Sequence, residues 1–484
     1  MTDAASAAIG ERFGLRYATP SAVGVDGDAV AAFLDDVDAA GLDLHGLMLH
    51  RRGRVCAQGF SWPYRADRPR VMHSVAKSFT ACAVGMALEE GRFALTDTVV
   101  SFFPEFAPAN AGENLAAMTV EDLLTMRTGH AEETSGAVWR GIRTSWIAEF
   151  FKIPVVHRPG TIYVYTSAAS YMLSAILTKT TGLTLHDYLR PRLFAPLGVQ
   201  GETWDVGPDG INPGGNGLTC TTIDLLKLGV LMAQGGVWEG RRLLSESWIR
   251  QATTAHAPGY GYHWVVGPHG EFSALGVFVQ MVMVFPEHEA TLTIIGAIDG
   301  SRRILPLVQQ HFPAAFRDGA VPDPKAGRRL AARPFRHAGV EPLRSDAAPA
   351  KERLGTHHYR FEANPQGVTD LVVDLTASRC RVTVRDAAGE HSITCGVDSW
   401  LEGQTDMPGR DLHHGYRLSP ARVVAGARWV TPDRLDMSWI FLESAFRDTV
   451  ECRFDGDRIR LSRRVNVNSG GLTQPDLIGR RTGP

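Results

Sequence analysis

Apolar positions recur at helical spacing over residues 28–42 and the run stops near Gly41, which predicts an amphipathic helix. The next stretch, LHGLMLH, RRGR and VCAQGFSW, sets two short apolar runs around a glycine-containing turn and predicts a β-hairpin. From 74 to about 310 the pattern is mainly helical, with loops rich in Gly and Pro. It closes on FVQMVMVF, a turn at PEHEA, and TLTIIGAI, a second hairpin. Strands at both ends of a largely helical segment imply an α+β unit: an antiparallel sheet built from the two ends, with helices packed on it.

The pattern then changes. Residues 315–352 are rich in Pro, Ala and Arg with little apolar periodicity and read as a linker. Its arginines suit a solvated or domain-docking linker better than a site for an anionic partner. Beyond 353, LVVDLT, CRVTVRD, SITCGV, RLDMSWIFLE, TVECRF and RIRLSRR are short strands separated by turns such as DAAGE and FDGDR. Alternation at Val382 and Val384, and at Met437, Trp439 and Phe441, marks half-buried strands of a β-sandwich or barrel. The expected division is a tail at 1–20, a mixed domain at 21–314, the linker at 315–352 and a β-rich domain at 353–484.

Composition narrows the function classes. The 484 residues are 44% hydrophobic and 21% charged, as in ordinary globular proteins, with a formal net charge of −2. No basic field for nucleic acid is present. No apolar run is long enough for a membrane span, and no basic start precedes an apolar segment as in a secretory signal, so a cytoplasmic location is expected. Cys56, Cys82, Cys220, Cys380, Cys395 and Cys452 show no CxxC or finger spacing, which favours reduced thiols over a disulfide framework. Cys82 and Cys220 sit in apolar, helix-like surroundings and read as small buried hydrophobes.

The strongest chemical signal is His73-Ser74-Val75-Ala76-Lys77-Ser78, opening a helical segment that stops at Gly91. Ser74 lies in the first turn and Lys77 follows one turn later on the same face. A serine hydroxyl is a poor nucleophile until a neighbour takes its proton, and a lysine can do so when burial depresses its pKa. The N–H of Ser74, at a helix N-terminus, can also serve an oxyanion hole. SxxK alone is a weak motif, and a serine N-cap beside a surface lysine is the plain alternative. The apolar flank of Ala76, Phe79 and Cys82 argues that Lys77 is inside.

A second element, PGTIYVYTS (159–167), reads as a turn, a short strand and a helix N-cap at Thr166 or Ser167, with the helix ending at Gly182. Taken in order, SVAKS, LLTMRTGH, RPGTIYVYTSAASYMLSAI, GGNGLTCTTIDLLKLG, GYGYHW and ALGVFVQ resemble the class C β-lactamase-like serine hydrolases over roughly residues 20–310. That group includes family VIII carboxylesterases, 6-aminohexanoate-oligomer hydrolases and D-amino-acid peptidases. The resemblance implies that Tyr165 is the Tyr-x-Asn/Ser tyrosine, relaying a proton between Ser74, Lys77 and the leaving group. Ser167 then stands where penicillin-recognising enzymes usually carry Asn.

The third element departs from that pattern. Where those enzymes place Lys or His, then Thr or Ser, then Gly, this chain has Ala274-Leu275-Gly276-Val277. The side chains that grip a β-lactam carboxylate are missing, which speaks against a true β-lactamase. The backbone role survives, with Gly276 allowing close approach and the Val277 N–H completing the oxyanion hole. By the same resemblance, Trp139, Trp146 and Trp204 fall in loops bordering the substrate pocket, with plain packing as their alternative. The β-rich domain resembles the lipocalin-like domain that some members carry.

Other chemistries are unsupported. There is no G-x-S-x-G elbow, and PEHEATLT lacks the second histidine of a zincin. The pairs His357-His358 and His413-His414 read as solvated or turn histidines, and no metal or cofactor is expected. GGNG (214–217) is a tight turn near the pocket and not a P-loop. His73 and His130 read as packing or supporting residues. The expectation is an esterase, amidase or peptidase that cleaves small molecules or short peptides through an acyl-enzyme. An acyltransferase with the same centre and a non-catalytic scaffold are the rivals.

Overall fold

The first predicted helix forms at Gly27–Ala39 (α1), where the Asp26 side chain caps the N–H groups of Asp28 and Ala29. It ends in a Schellman motif: Leu42 N–H bonds Val37 O, Gly41 N–H bonds Asp38 O, and Gly41 takes φ 61°. The computed structural model describes residues 11–108, 111–134, 136–321, 330, 333, 335, 340, 343–416 and 420–482. Its contacts group into two units, Met1–Ala338 and Gly339–Pro484.

Both predicted hairpins form in the first unit. Leu44–Arg51 (β1) and Arg54–Phe60 (β2) join through Arg52 (φ 48°) and Gly53 (φ 75°), a two-residue turn whose positive φ values match the strand twist. The later segment supplies Val265–Val266 (β3), Phe272–Gly276 (β4), Gln280–Phe285 (β5) and Ala290–Gly296 (β6). These make a six-stranded antiparallel sheet in the order β3-β4-β5-β6-β1-β2, with Thr293 of β6 opposite Met48 of β1.

Alternation sorts the two faces. Leu47, Leu49, Met281, Met283, Leu292 and Ile294 pack with α1 and with Leu305–Ala315 (α5). Met48, Val282 and Val284 face a larger core built from Ala76–Glu89 (α2), Ser167–Thr181 (α3) and Thr222–Ala233 (α4). Gly229 of α4 lies so close to β5 and β6 that a Cβ would fall 2.4 Å from Val282 Cγ2 and 2.6 Å from Thr291 Cγ2. Burial on both sheet faces explains why β5 and β6 read as continuous apolar runs.

Several expectations change. The stretch taken as a tail to residue 20 is docked from Leu15 onward, with Leu15 and Tyr17 buried and Ala18 N–H bonded to Val55 O. No strand forms at 161–165, where Val164 N–H bonds Met126 O at 2.9 Å. Part of the linker lies outside the described residues, but Arg333 pairs with Asp35 and Asp38 of α1 at 2.9 and 2.7 Å.

The second unit is a barrel. Its strands are Gly355–Phe361 (β7), Asp370–Leu375 (β8), Arg379–Asp386 (β9), Gly389–Val397 (β10) and Trp400–Thr405 (β11). Ala421–Thr431 (β12), Arg434–Phe441 (β13), Arg447–Asp455 (β14), Arg458–Val465 (β15) and Leu477–Arg481 (β16) follow. The order β10-β9-β8-β7-β16-β15-β14-β13-β12 closes where Gly396–Val397 pairs in parallel with Gly426–Ala427, and β11 runs along β12. Closure removes the open edges of a sheet. Val373, Cys380, Val382, Cys395, Met437, Val450 and Cys452 are all at most 1% exposed and fill the interior. All six cysteines of the chain are free and buried.

The histidine pairs here are not simply solvated. His413 is buried, stacks on Phe446 at 4.6 Å, and bonds Asp448 at 2.9 Å, while Arg463 bonds the other Asp448 oxygen. His357 is buried with Nε2 at 3.0 Å from Arg353 O, whereas His358 is exposed and His414 takes φ 53° in a turn. Asp448 lies on a strand distant in sequence, so spacing alone could not pair it with His413.

Candidate active site

Ser74 arrives on a tight turn. Arg70–Val71 pairs with Leu218–Cys220, a 3₁₀ turn spans His73–Val75, and α2 begins at Ala76. Ser74 therefore precedes the α-helix and does not sit within its first turn. Lys77 remains one turn ahead on the same face, and its Nζ is 3.3 Å from Ser74 Oγ.

The lysine is 2% exposed, and Nζ has two further partners, Ser167 Oγ at 3.2 Å and Gly215 O at 2.9 Å. Among the described residues no carboxylate lies within ion-pair distance of it. Burial pulls its pKa down from 10.5 to about 7, with Glu133 opposing through space and Arg140 adding to the fall. Three partners satisfy an ammonium. When one proton leaves, Gly215 O still needs an N–H, so a hydroxyl must turn and donate to the lone pair.

Tyr165 completes the cluster. Lys77 Nζ lies 4.7 Å from its ring centroid, and its phenol is hydrogen-bonded with Ser74. Burial drives the phenol up to about 12, and the Ser74 bond only partly offsets this. Tyr165 is thus a neutral hydrogen-bonding group at physiological pH. Thr166 caps α3, which places Ser167 at its start, and Gly182 ends it at φ 73°.

The strand of the third element lies against the Ser74 turn. A Cβ on Gly276 would stand 2.5 Å from Met72 O and 3.2 Å from His73 Cβ, so only glycine fits there. Ala274 packs with the helices of the site, while Leu275 joins the core on the opposite sheet face. Neither offers a cation or a hydroxyl.

The tryptophans expected as pocket walls lie inside. Trp139, Trp146 and Trp204 are only 5–6% exposed. Trp139 and Trp146 meet edge-to-face at 5.7 Å and both pack on Tyr171, and Trp204 Nε1 donates to Asn216 O at 2.8 Å. These contacts are those of packing residues. His130 is likewise internal, bonded to Thr128 Oγ1 at 2.9 Å, with burial driving its pKa down to about 4.

Sequence reasoning set the GGNG loop (214–217) near the pocket as a tight turn but gave it no part in the site. Gly215 O takes an N–H of Lys77, and Gly214 O accepts from Thr80 Oγ1 at 2.7 Å. A Cβ at Gly214 would meet Ser170 O at 2.4 Å. Four residues, GGNG, carried the signal, but only the fold shows their backbone facing α2 and α3. Ser170 in turn bonds His263 Nε2 at 3.0 Å, and burial drives that imidazole down to about 3, leaving it neutral.

These features define a serine hydrolase of the penicillin-binding-protein and β-lactamase fold. The profile of the Beta-lactamase family matches residues 44–303, and the chain belongs to that family. It is 25% identical over 307 residues to the 6-aminohexanoate-dimer hydrolase of Paenarthrobacter ureafaciens, covering 57% of this chain and 78% of that protein. It is 28% identical over 314 residues to penicillin-binding protein 4 of Amycolatopsis lactamdurans, covering 52% and 77%. A solved structure from Bacillus anthracis, provisionally assigned as a 6-aminohexanoate-dimer hydrolase, aligns with a TM-score of 0.53 at 17% identity. That alignment spans 63% of this chain and 87% of the other, and it speaks for the fold alone. No helix among the described residues is long and apolar enough to cross a membrane.

Proposed function

We propose that the chain opens ester or amide bonds of small molecules or short peptides through an acyl-enzyme on Ser74. The observation that carries this reading is the buried Lys77 amine, 3.3 Å from Ser74 Oγ and poised to lose its proton near pH 7. Ser74 Oγ attacks the carbonyl carbon while its proton passes to Lys77 Nζ, and the carbonyl electron pair moves onto oxygen. The N–H groups of Ser74 and Val277 receive that oxyanion. On collapse the leaving group departs with a proton relayed through the Tyr165 hydroxyl from Lys77. Water then attacks the acyl carbon, its proton returning along the same path, and Ser74 is released. With its phenol held near 12, Tyr165 serves as a relay and Lys77 as the resting base.

The strand that would grip a carboxylate carries Ala274 and Leu275, so uncharged acyl groups suit the site better than β-lactams. The hydrolases among the relatives, one acting on 6-aminohexanoate dimers, support an amide or ester substrate. Free buried thiols fit a reducing compartment, and we place the enzyme in the cytoplasm. Intact-mass spectrometry after exposure to a fluorophosphonate, alongside p-nitrophenyl esters of increasing chain length, tests the reading. One adduct on Ser74, with turnover abolished in Ser74→Ala, is expected. Undiminished turnover in Ser74→Ala, or no adduct on folded protein, would refute it.

A further inference from the structure

The two backbone donors assigned to the oxyanion hole come from distant segments, and each adjoins backbone that L-residues avoid. His73, just before Ser74, has φ 50°; Phe278 and Val279, just after Val277, have φ 63° and 65°. A β-branched residue such as Val279 in that region is a genuine outlier. Such conformations persist only where surrounding contacts impose them, and they gather at functional sites. Here the two strained turns touch, with the His73 and Phe278 rings edge-to-face at 5.5 Å.

One buried arginine links the two turns. Arg70 lies four residues before Ser74 and is 2% exposed. Its Nε donates to Gln280 Oε1 at 2.7 Å, and Nη2 to Gly296 O at 2.8 Å with His45 Nδ1 at 3.0 Å. His45 Nε2 lies 3.5 Å from Asp43, which supplies the counter-charge, and Tyr64 stacks on His45 at 3.8 Å. Burial lowers the Arg70 pKa only to about 10, so it stays cationic at neutral pH. Gln280, fully buried, turns its amide nitrogen to Val277 O and to Gly296 O, each at 3.4 Å. Ile298 N–H to Phe278 O at 3.2 Å and Val279 N–H to Gly276 O at 3.1 Å complete the hold on this turn.

We infer that Arg70 and Gln280 form a buried clamp that fixes the Val277 turn against the Ser74 turn and so sets the spacing of the oxyanion hole. The inference rests on the Ser74 acyl-enzyme reading. Both are positioning residues: Arg70 acts through Gln280, and Gln280 through the Val277 peptide. A purely structural role for the same network would give variants that lose stability without losing chemistry per folded molecule.

Gln280→Glu separates the two. The carboxylate keeps, and strengthens, the partner of Arg70, while the N–H that holds Val277 O is gone. The expected result is a folded protein with KM within about twofold and kcat per folded molecule lower by about 10- to 100-fold. Affinity for phenylboronic acid, which adds to Ser74 Oγ as its proton passes to Lys77 and mimics the tetrahedral intermediate, should fall in parallel. Native kcat in folded Gln280→Glu, or a fall in kcat with unchanged boronate affinity, would overturn the clamp. Should that variant not fold, Arg70→Lys reads the same link from the other end, with the same pattern expected and native kcat again overturning it. Loss of the Ser74 adduct in the unmodified protein would instead overturn the acyl-enzyme reading, so the two failures are distinguishable.

Discussion

Each unit buries charge in an apolar core, and the two do so in opposite ways. Lys77 is surrounded by two hydroxyls and a carbonyl with no acid among the described residues in contact, and its pKa falls to about 7. In the barrel, burial alone would raise Asp448, yet Arg463 and His413 outweigh it and hold the carboxyl below its ordinary range. One arrangement leaves a charge so weakly supported that its proton is available for chemistry. The other locks the charge in place, where it can only hold structure. Burial is common to both, and the partner decides between them.

The largest effect expected from breaking that contrast is on rate. Lys77→Met keeps the volume and removes the proton acceptor, so ester turnover should drop by about 10²- to 10⁴-fold. Because the native lysine is poorly supported in its charged form, the unfolding temperature of the variant should hold or rise. Turnover assays and thermal melts on the same preparation check both signs. Asp448→Asn should do the reverse. It leaves Arg463 and His413 without their acid, costing about 3–5 kcal/mol in urea unfolding, with turnover per folded molecule unchanged. The folded pKa of Asp448 lies below its unfolded value, so this stability exists above about pH 4 and is lost as pH falls through the folded pKa. Acid titration of the native barrel should therefore show a loss that the variant no longer shows.

The two charge sites were unequally legible in the sequence. Ser74, Lys77, Tyr165 and Ser167 sit in local patterns: one helical turn between the first two, and a strong N-cap before the last. The fold needs only to bring those two pieces together. Likewise the hairpins at 44–60 and 280–296 announce themselves through apolar runs and turn residues, because each is closed by neighbours in sequence. Asp448 with His413, and Arg70 with Gln280, carry no such mark, since the first joins a strand to a turn and the second joins strands of two different sheets, each across many residues of sequence. Gly215 was equally hidden, for its contribution is a carbonyl that any residue type possesses. The tryptophans pose a different case, since both a pocket wall and plain packing were open for them. A large aromatic in a loop near a pocket is compatible with lining it, and the ring contacts of Trp139 and Trp146 with Tyr171, which sequence spacing does not reveal, are packing contacts.

The sharpest form of the comparison is to convert one site into the other. Ser167→Asp would set a carboxylate where a hydroxyl now lies 3.2 Å from Lys77 Nζ. An opposite charge at that distance favours the ammonium and should raise the lysine pKa by about 1–3 units. The active form is the neutral amine, so the acid limb of kcat/KM, expected near pH 7 in the native enzyme, should move up by that amount. Turnover at pH 7 then falls while turnover near pH 9 recovers, as a pH–rate profile would show. Ser167→Ala makes the smaller change of opposite sign. It removes a hydroxyl that accepts an N–H from the ammonium, so the charged form loses support and the limb should shift down by about half a unit to one unit. Opposite shifts from one position would show that contacting partners, acting on a burial common to all three proteins, set the proton affinity of Lys77. Shifts of the same sign would mean that each substitution acts by disturbing the helix start at Thr166, and the contrast with Asp448 would then rest on local order and not on charge.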